Sequence, residues 1–145
     1  PSLIDRMSHE ALRMTSPVMH MRRTATEDTE IAGQRIAENE KVIMWYGAAN
    51  RDPSIFPNPD VFDLTRDNVE KHVAFGHGVH RCLGNRIAQM QLKMAYERIL
   101  ERFPNIHWTG KQKIEPIILV HAISSLKVNL YGKGAKRPTQ VAVPR

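Results

Sequence analysis

A single cysteine in 145 residues excludes an internal disulfide framework, so whatever holds this chain together is packing and polar bonding. No apolar run approaches the ~20 residues that cross a bilayer, and no stretch of signal-peptide character opens the chain. Membrane insertion is therefore not expected. Aromatic residues make up only 6% of the total, too few and too scattered for a base-stacking surface. That scarcity tells against a nucleic-acid binder, although the formal charge is +6 and the pI is about 9.8. The 21 basic residues are dispersed among 15 acids, and the basic end, Lys133, Lys136, Arg137 and Arg145, reads as a solvated, flexible tail over 133–145. What is present, 41% hydrophobic and 25% charged residues, is the composition of a globular domain.

The lone cysteine stands in an ordered run: Phe75, Gly76, His77, Gly78, Val79, His80, Arg81, Cys82, Leu83, Gly84, directly before a long amphipathic stretch. A helix N-terminus favours the thiolate through unpaired N–H groups and the macrodipole. The glycines let the loop curl and turn N–H groups toward the sulfur. An isolated free cysteine is most often a small buried hydrophobe. The combination Phe-Gly-x-Gly-x-His-x-Cys-x-Gly reverses that reading and makes Cys82 a candidate metal ligand.

Two further patterns accompany it. Glu10 and Arg13, three residues apart, share one side of a helix and can meet. Such a pair contributes little when exposed and is a structural anchor when buried. Arg22 and Arg23 precede Thr24, Ala25, Thr26, Glu27 and Asp28, and a guanidinium there offers the parallel donors that suit a carboxylate.

Together these residues resemble the haem-thiolate cytochrome P450 family in its soluble bacterial form, and the resemblance covers nearly the whole chain. It implies haem b as cofactor, Cys82 as axial ligand of the iron, and Phe75 as the aromatic shielding the sulfur. Gly76, Leu83 and Gly84 would complete the cofactor-binding loop. His80 and Arg23 would bind haem propionates, with Arg22 the alternative one residue away. Glu10 and Arg13 match the Glu-x-x-Arg pair that anchors the loop. Many relatives carry arginine where this chain has Val61, which leaves Arg66 and His72 as candidates to replace it. Val18 and Met19, in the segment running on to Met21, and Leu119 at a hairpin tip would line a pocket for a small apolar organic substrate. The implied activity is insertion of one oxygen atom from O2, with electrons from a ferredoxin or similar acidic donor docking by charge. The bacterial cytoplasm is the expected compartment. Only the C-terminal part of the family is matched, so the chain reads as a fragment, inactive by itself. The alternative is a structural or interaction module that binds no haem.

The expected fold class is α+β, mainly helical, the C-terminal part of the cytochrome P450 fold. Apolar Leu3, Ile4, Met7, Ala11 and Met14 predict a helix over 2–14, with Ser2 as cap and Pro17 as stop. Gly33 predicts a short hairpin from Ile31 to Ile36, and Val42 to Trp45 reads as a buried strand. Prolines make 53–59 a loop. A helix about 30 Å long is predicted from Gly84 to Phe103, with apolar stripes facing two sides. Ile117 to Val120 and Leu126 to Leu130 read as paired strands.

Overall fold

The computed structural model describes residues 3–132, so the predicted Ser2 cap and the tail over 133–145 lie outside the described residues. Helix α1 (Leu3–Thr15) ends where Ser16 turns into the left-handed region at φ 39 and Pro17, which has no N–H to donate, follows it. Of the apolar residues that predict it, Ile4, Met7, Ala11 and Met14 are half-buried. Leu3 is exposed, and the buried residues are Ser8, Glu10, Leu12 and Arg13.

Strand β1 (His20–Thr24) pairs antiparallel with β4 (Lys41–Trp45), His20 opposite Trp45. Between them β2 (Thr29–Ile31) and β3 (Gln34–Ile36) form the predicted hairpin, turned by Ala32 and Gly33 at φ 51 and 81. Positive φ at both central residues matches the twist of a two-residue hairpin turn. The prediction that Val42 to Trp45 is buried is corrected: only Val42 and Met44 are half-buried, because a two-stranded sheet leaves one face uncovered.

A short helix α2 (Tyr46–Ala49) leads to buried Asn50 and then to the proline-rich loop. After a 3-10 turn at Val69–Lys71 the chain enters the cysteine loop and helix α3 (Asn85–Arg102), 18 residues and so about 27 Å long. Helix α1 packs along α3, with Lys93 3.1 Å from Asp5. The expectation of two covered stripes is corrected too: no residue of α3 is buried, and Ile87, Met90 and Met94 are exposed. No helix among the described residues is long and apolar enough to cross a membrane.

The final hairpin differs from the prediction. Its strands are β5 (His107–Glu115) and β6 (Ala122–Asn129), while Ile117 to Val120 forms the connection. Pro116 stops β5 because it lacks a ladder donor. The polar sequence of β5 carries no apolar run from which a strand could be read. The hairpin tip is clamped onto the lead-in to β1: the Met19 amide donates to Leu119 O at 2.9 Å and the His121 amide to Pro17 O at 2.8 Å.

The centre of the fold is polar. Apolar Leu12, Phe56, Val69 and Ala74 are buried beside Glu10, Arg13, Asn50, Arg66 and His72. Arg13 forks onto Glu10 through Nε and Nη2 at 2.7 and 2.8 Å, and Arg66 Nε reaches Glu10 Oε1 at 3.1 Å. The question left by Val61 is settled by Arg66. Val61 itself contributes its carbonyl, accepting from Arg13 Nη2 at 3.3 Å and Arg66 Nη2 at 3.1 Å. Burial raises the proton affinity of Glu10, but the bonds from Arg13, the Asp63 amide and Arg66 outweigh it and hold the carboxyl below its usual value.

Replacing Glu10 leaves two buried guanidinium groups without their anion, whereas Glu101 pairs with Arg98 on the surface. Glu10→Gln is expected to lower the unfolding free energy by about 3–5 kcal/mol, and Glu101→Gln by less than about 1 kcal/mol. Urea unfolding of both variants checks the contrast.

Candidate functional site

The cysteine loop hangs from a bonded base. Asn50 Oδ1 accepts the Val73 amide at 2.7 Å, and His72 Nδ1 accepts the Ala74 amide at 3.2 Å. From there the chain reverses through Gly76 at φ 73 and Gly78 at φ 65. The Cys82 amide then donates to Phe75 O at 2.8 Å, closing the loop. The amide of Cys82 is thus held by Phe75. Cys82 is exposed and stands just before α3, whose first residue, Asn85, donates through Nδ2 to Cys82 O at 2.6 Å.

A cleft of about 510 Å3 opens above this loop. Cys82, Phe75, Gly76 and His80 line it together with Val18, Met21 and Arg23. Leu12 and Tyr46 line it as well. Residues 12–23, Tyr46 and residues 74–82 therefore converge on one concave, largely apolar space that a sulfur and a guanidinium also line. Arg23 donates from Nη1 to Arg22 O at 3.0 Å, and no carboxylate pairs with it among the described residues. Arg22 faces a second, smaller cleft of about 310 Å3 with His20, Ile43 and Leu119. Of the two adjacent arginines, Arg23 is the one that lines the cleft with Cys82.

The predicted site residues divide accordingly. Cys82, His80, Phe75, Gly76, Arg23 and Val18 share the large cleft. Leu83 is not among the residues lining it and is 98% exposed. Gly84 precedes α3 and is not on the wall, though a Cβ there would lie 3.9 Å from Cys82 Sγ. Leu119 belongs to the smaller cleft, and Met19 is tied to it through the backbone. Glu10 and Arg13 lie buried beneath, as an anchor would. Leu12 and Tyr46 escaped the sequence reading. Leu12 looks like any apolar helix residue, and nothing local distinguishes Tyr46.

Tyr46 explains one glycine. A Cβ at Gly76 would stand 3.3 Å from Tyr46 Oη and 3.4 Å from His80 O, in a backbone conformation already unfavourable to side chains. At Gly78 the space is open. Gly76→Ala is expected to destabilise by at least about 1–2 kcal/mol and more than Gly78→Ala, measured as the shift in urea midpoint at constant slope.

His72 is buried, and burial first, then His9, Arg81 and Arg13, lower its pKa from 6.5 to about 4, with Glu10 opposing. The folded chain thus binds this proton less readily than the unfolded chain. Its contribution to stability is complete above pH 6.5 and is lost as pH falls from there toward about 4. Unfolding free energy at pH 5 is expected to be lower than at pH 7.5 by about 1–2 kcal/mol. His72→Asn should flatten that slope in a urea series across the interval.

The family model for cytochrome P450 matches residues 2–128. Linalool 8-monooxygenase of Pseudomonas putida is 43% identical over 133 residues, which is 92% of this chain and 32% of that protein. The biotin biosynthesis cytochrome P450 of Bacillus subtilis (strain 168) is 41% identical over 129 residues, 88% of this chain and 32% of its own length. Among solved structures, cytochrome P450-153 from Novosphingobium aromaticivorans aligns with a TM-score of 0.82 and 43% identity, over 88% of this chain and 32% of that one. The chain spans about a third of the length of the curated relatives it matches.

Proposed function

Given that this chain belongs to the cytochrome P450 family, we propose that it carries the proximal half of a haem b site, with Cys82 as the thiolate ligand of the iron. The observation that carries this reading is the convergence of Cys82, Phe75, Gly76, His80 and Arg23 on one cleft of about 510 Å3. Its chemistry suits the group: apolar Leu12, Val18, Met21 and Phe75 accept a flat macrocycle and exclude water, while Arg23 and His80 suit its carboxylates. Haem, when bound, supplies the one-electron and O2 chemistry that side chains lack.

The residues of the chain divide the remaining work. Cys82 sits at the positive end of α3, which favours the negative charge of a thiolate. The bond from its amide to Phe75 O fixes where the sulfur leaves the backbone. Gly76, without a Cβ, leaves room for Tyr46 Oη and His80 O beside the loop, and Leu83 and Gly84 carry the chain onward into α3. Arg23, free of a carboxylate partner among the described residues, is available to fork onto a propionate, and His80 to donate to one.

The relatives are matched over only about a third of their length, so the activity is proposed for the whole protein. That activity is insertion of one atom of O2 into a small apolar organic substrate, in the cytoplasm, with a ferredoxin or similar acidic donor supplying electrons. Val18 and Met21 support the substrate class, being apolar on the cleft wall, and the excess of basic residues supports the donor. Met19 and Leu119 would act one layer back, holding the hairpin tip against the lead-in to β1.

Haem titration of the purified chain, followed by reduction under carbon monoxide, tests the cofactor reading. The wild-type chain is expected to show a thiolate-type Soret band, Cys82→Ala to lose it, and Arg23→Ala to bind haem about tenfold more weakly. A Cys82→Ala variant that keeps the thiolate band, or a wild-type chain that takes up no haem, overturns it.

A further inference from the structure

His72 and His9 face one another with Nε2 and Nδ1 3.2 Å apart, their ring centroids at 5.4 Å. The Ala74 amide, which can only donate, points at the other nitrogen of His72, Nδ1, at 3.2 Å. A neutral imidazole that accepts at Nδ1 carries its proton on Nε2. His72 Nε2 therefore donates to His9, and His9 Nδ1 accepts. The direction of every bond in this chain follows from one backbone amide.

We propose that the His9–His72 pair is a positioning device for the cysteine loop: His9 holds His72 in the Nε2–H tautomer, and His72 Nδ1 then captures the Ala74 amide and sets the backbone entering Phe75. The Val73 and Ala74 amides are consecutive, and each is held by a side chain, Asn50 and His72 respectively. Phe75, the next residue, receives the Cys82 amide and also lies against the His72 ring at 6.0 Å between centroids. The mouth of the loop is thus pegged at three successive residues, and His72 touches two of them.

Its surroundings oppose a charged His72. His9, Glu10 and Arg13 face it from α1 and Arg81 from the cysteine loop, and Glu70 shares a cleft with His9. The one carboxylate of these that favours a proton on His72, Glu10, is already held by Arg13 and Arg66. A proton on Nδ1 would remove the acceptor of Ala74 and place a cation among arginines. What the loop is for rests on the haem reading above; the tautomer and the Ala74 bond do not.

Nitrogen-15 NMR on the full chain tests the inference. At pH 7 the His72 ring is expected to be a single Nε2–H tautomer that does not titrate above about pH 5.5, with a slowly exchanging Ala74 amide. The His72 side chain bonds an amide two residues on, the geometry of an Asx turn, so an asparagine oxygen can take the place of Nδ1. His72→Asn should therefore keep Ala74 protection within about twofold, while His72→Phe speeds exchange by about fivefold or more. In His9→Phe, which spares His72, the ring should become a tautomer mixture with faster exchange at Ala74. A tautomer mixture in the wild-type chain, titration of His72 above pH 6, or equal loss of protection in His72→Asn and His72→Phe overturns the inference. Should His72→Phe fail to fold, the wild-type tautomer and His9→Phe still decide it. Absorption spectra of the same wild-type sample report haem uptake, so a chain that keeps this tautomer yet binds no haem supports the present inference and counts only against the cofactor reading.

Discussion

Glu10 brings a negative charge to a place that water does not reach, and the loops around it are arranged to answer that charge. A buried carboxylate is costly unless paired and fully bonded. Here Arg13 supplies two bonds, Arg66 a third and the Asp63 amide a fourth. The same two guanidinium groups extend outward. Arg13 donates to the carbonyls of Asn50, Pro59 and Val61, and Arg66 to those of Pro57, Asn58 and Val61. An irregular, proline-rich loop has few backbone donors for its own carbonyls, and the two arginines stand in for them.

From that cluster the order passes to the site. Asn50 gives its carbonyl to Arg13, donates from Nδ2 to Ser16 Oγ at the end of α1, and accepts the Val73 amide through Oδ1. One side chain thereby joins the helix that carries Glu10 to the segment that carries the cysteine. Hydrogen bonds to a fixed carbonyl or amide are directional in a way that apolar contact is not. A centre with four buried apolar residues among the described residues gains its geometric definition from these bonds.

Much of this was legible in the residues. The spacing of Glu10 and Arg13, the glycines around Cys82, the Gly33 turn and the stop at Pro17 are local features, and each acts where it stands. Less legible were the strand β5, whose polar residues carry no apolar run, and the exposure of α3, which depends on what lies against it. At the site, Tyr46 and Leu12 could not be singled out because their roles arise from facing Gly76 and the cleft across the fold. The substitution at Val61 left Arg66 and His72 equally open, since both precede the cysteine loop and both can carry charge.

Local chemistry in the chain therefore determined which residues could act: a thiol before a long helix, a carboxylate and an arginine on one helical face, arginines fit for a carboxylate, glycines able to take positive φ. Which of them meet was decided by tertiary structure. Only there does Arg66 reach Glu10 while His72 meets His9, Arg23 line one cleft with Cys82 while Arg22 lines another, and Leu83 stay exposed beside the cysteine. The physical reason is that spacing along a chain sets the direction of a side chain within one element, whereas its partner is whatever the packing of other elements brings within bonding distance.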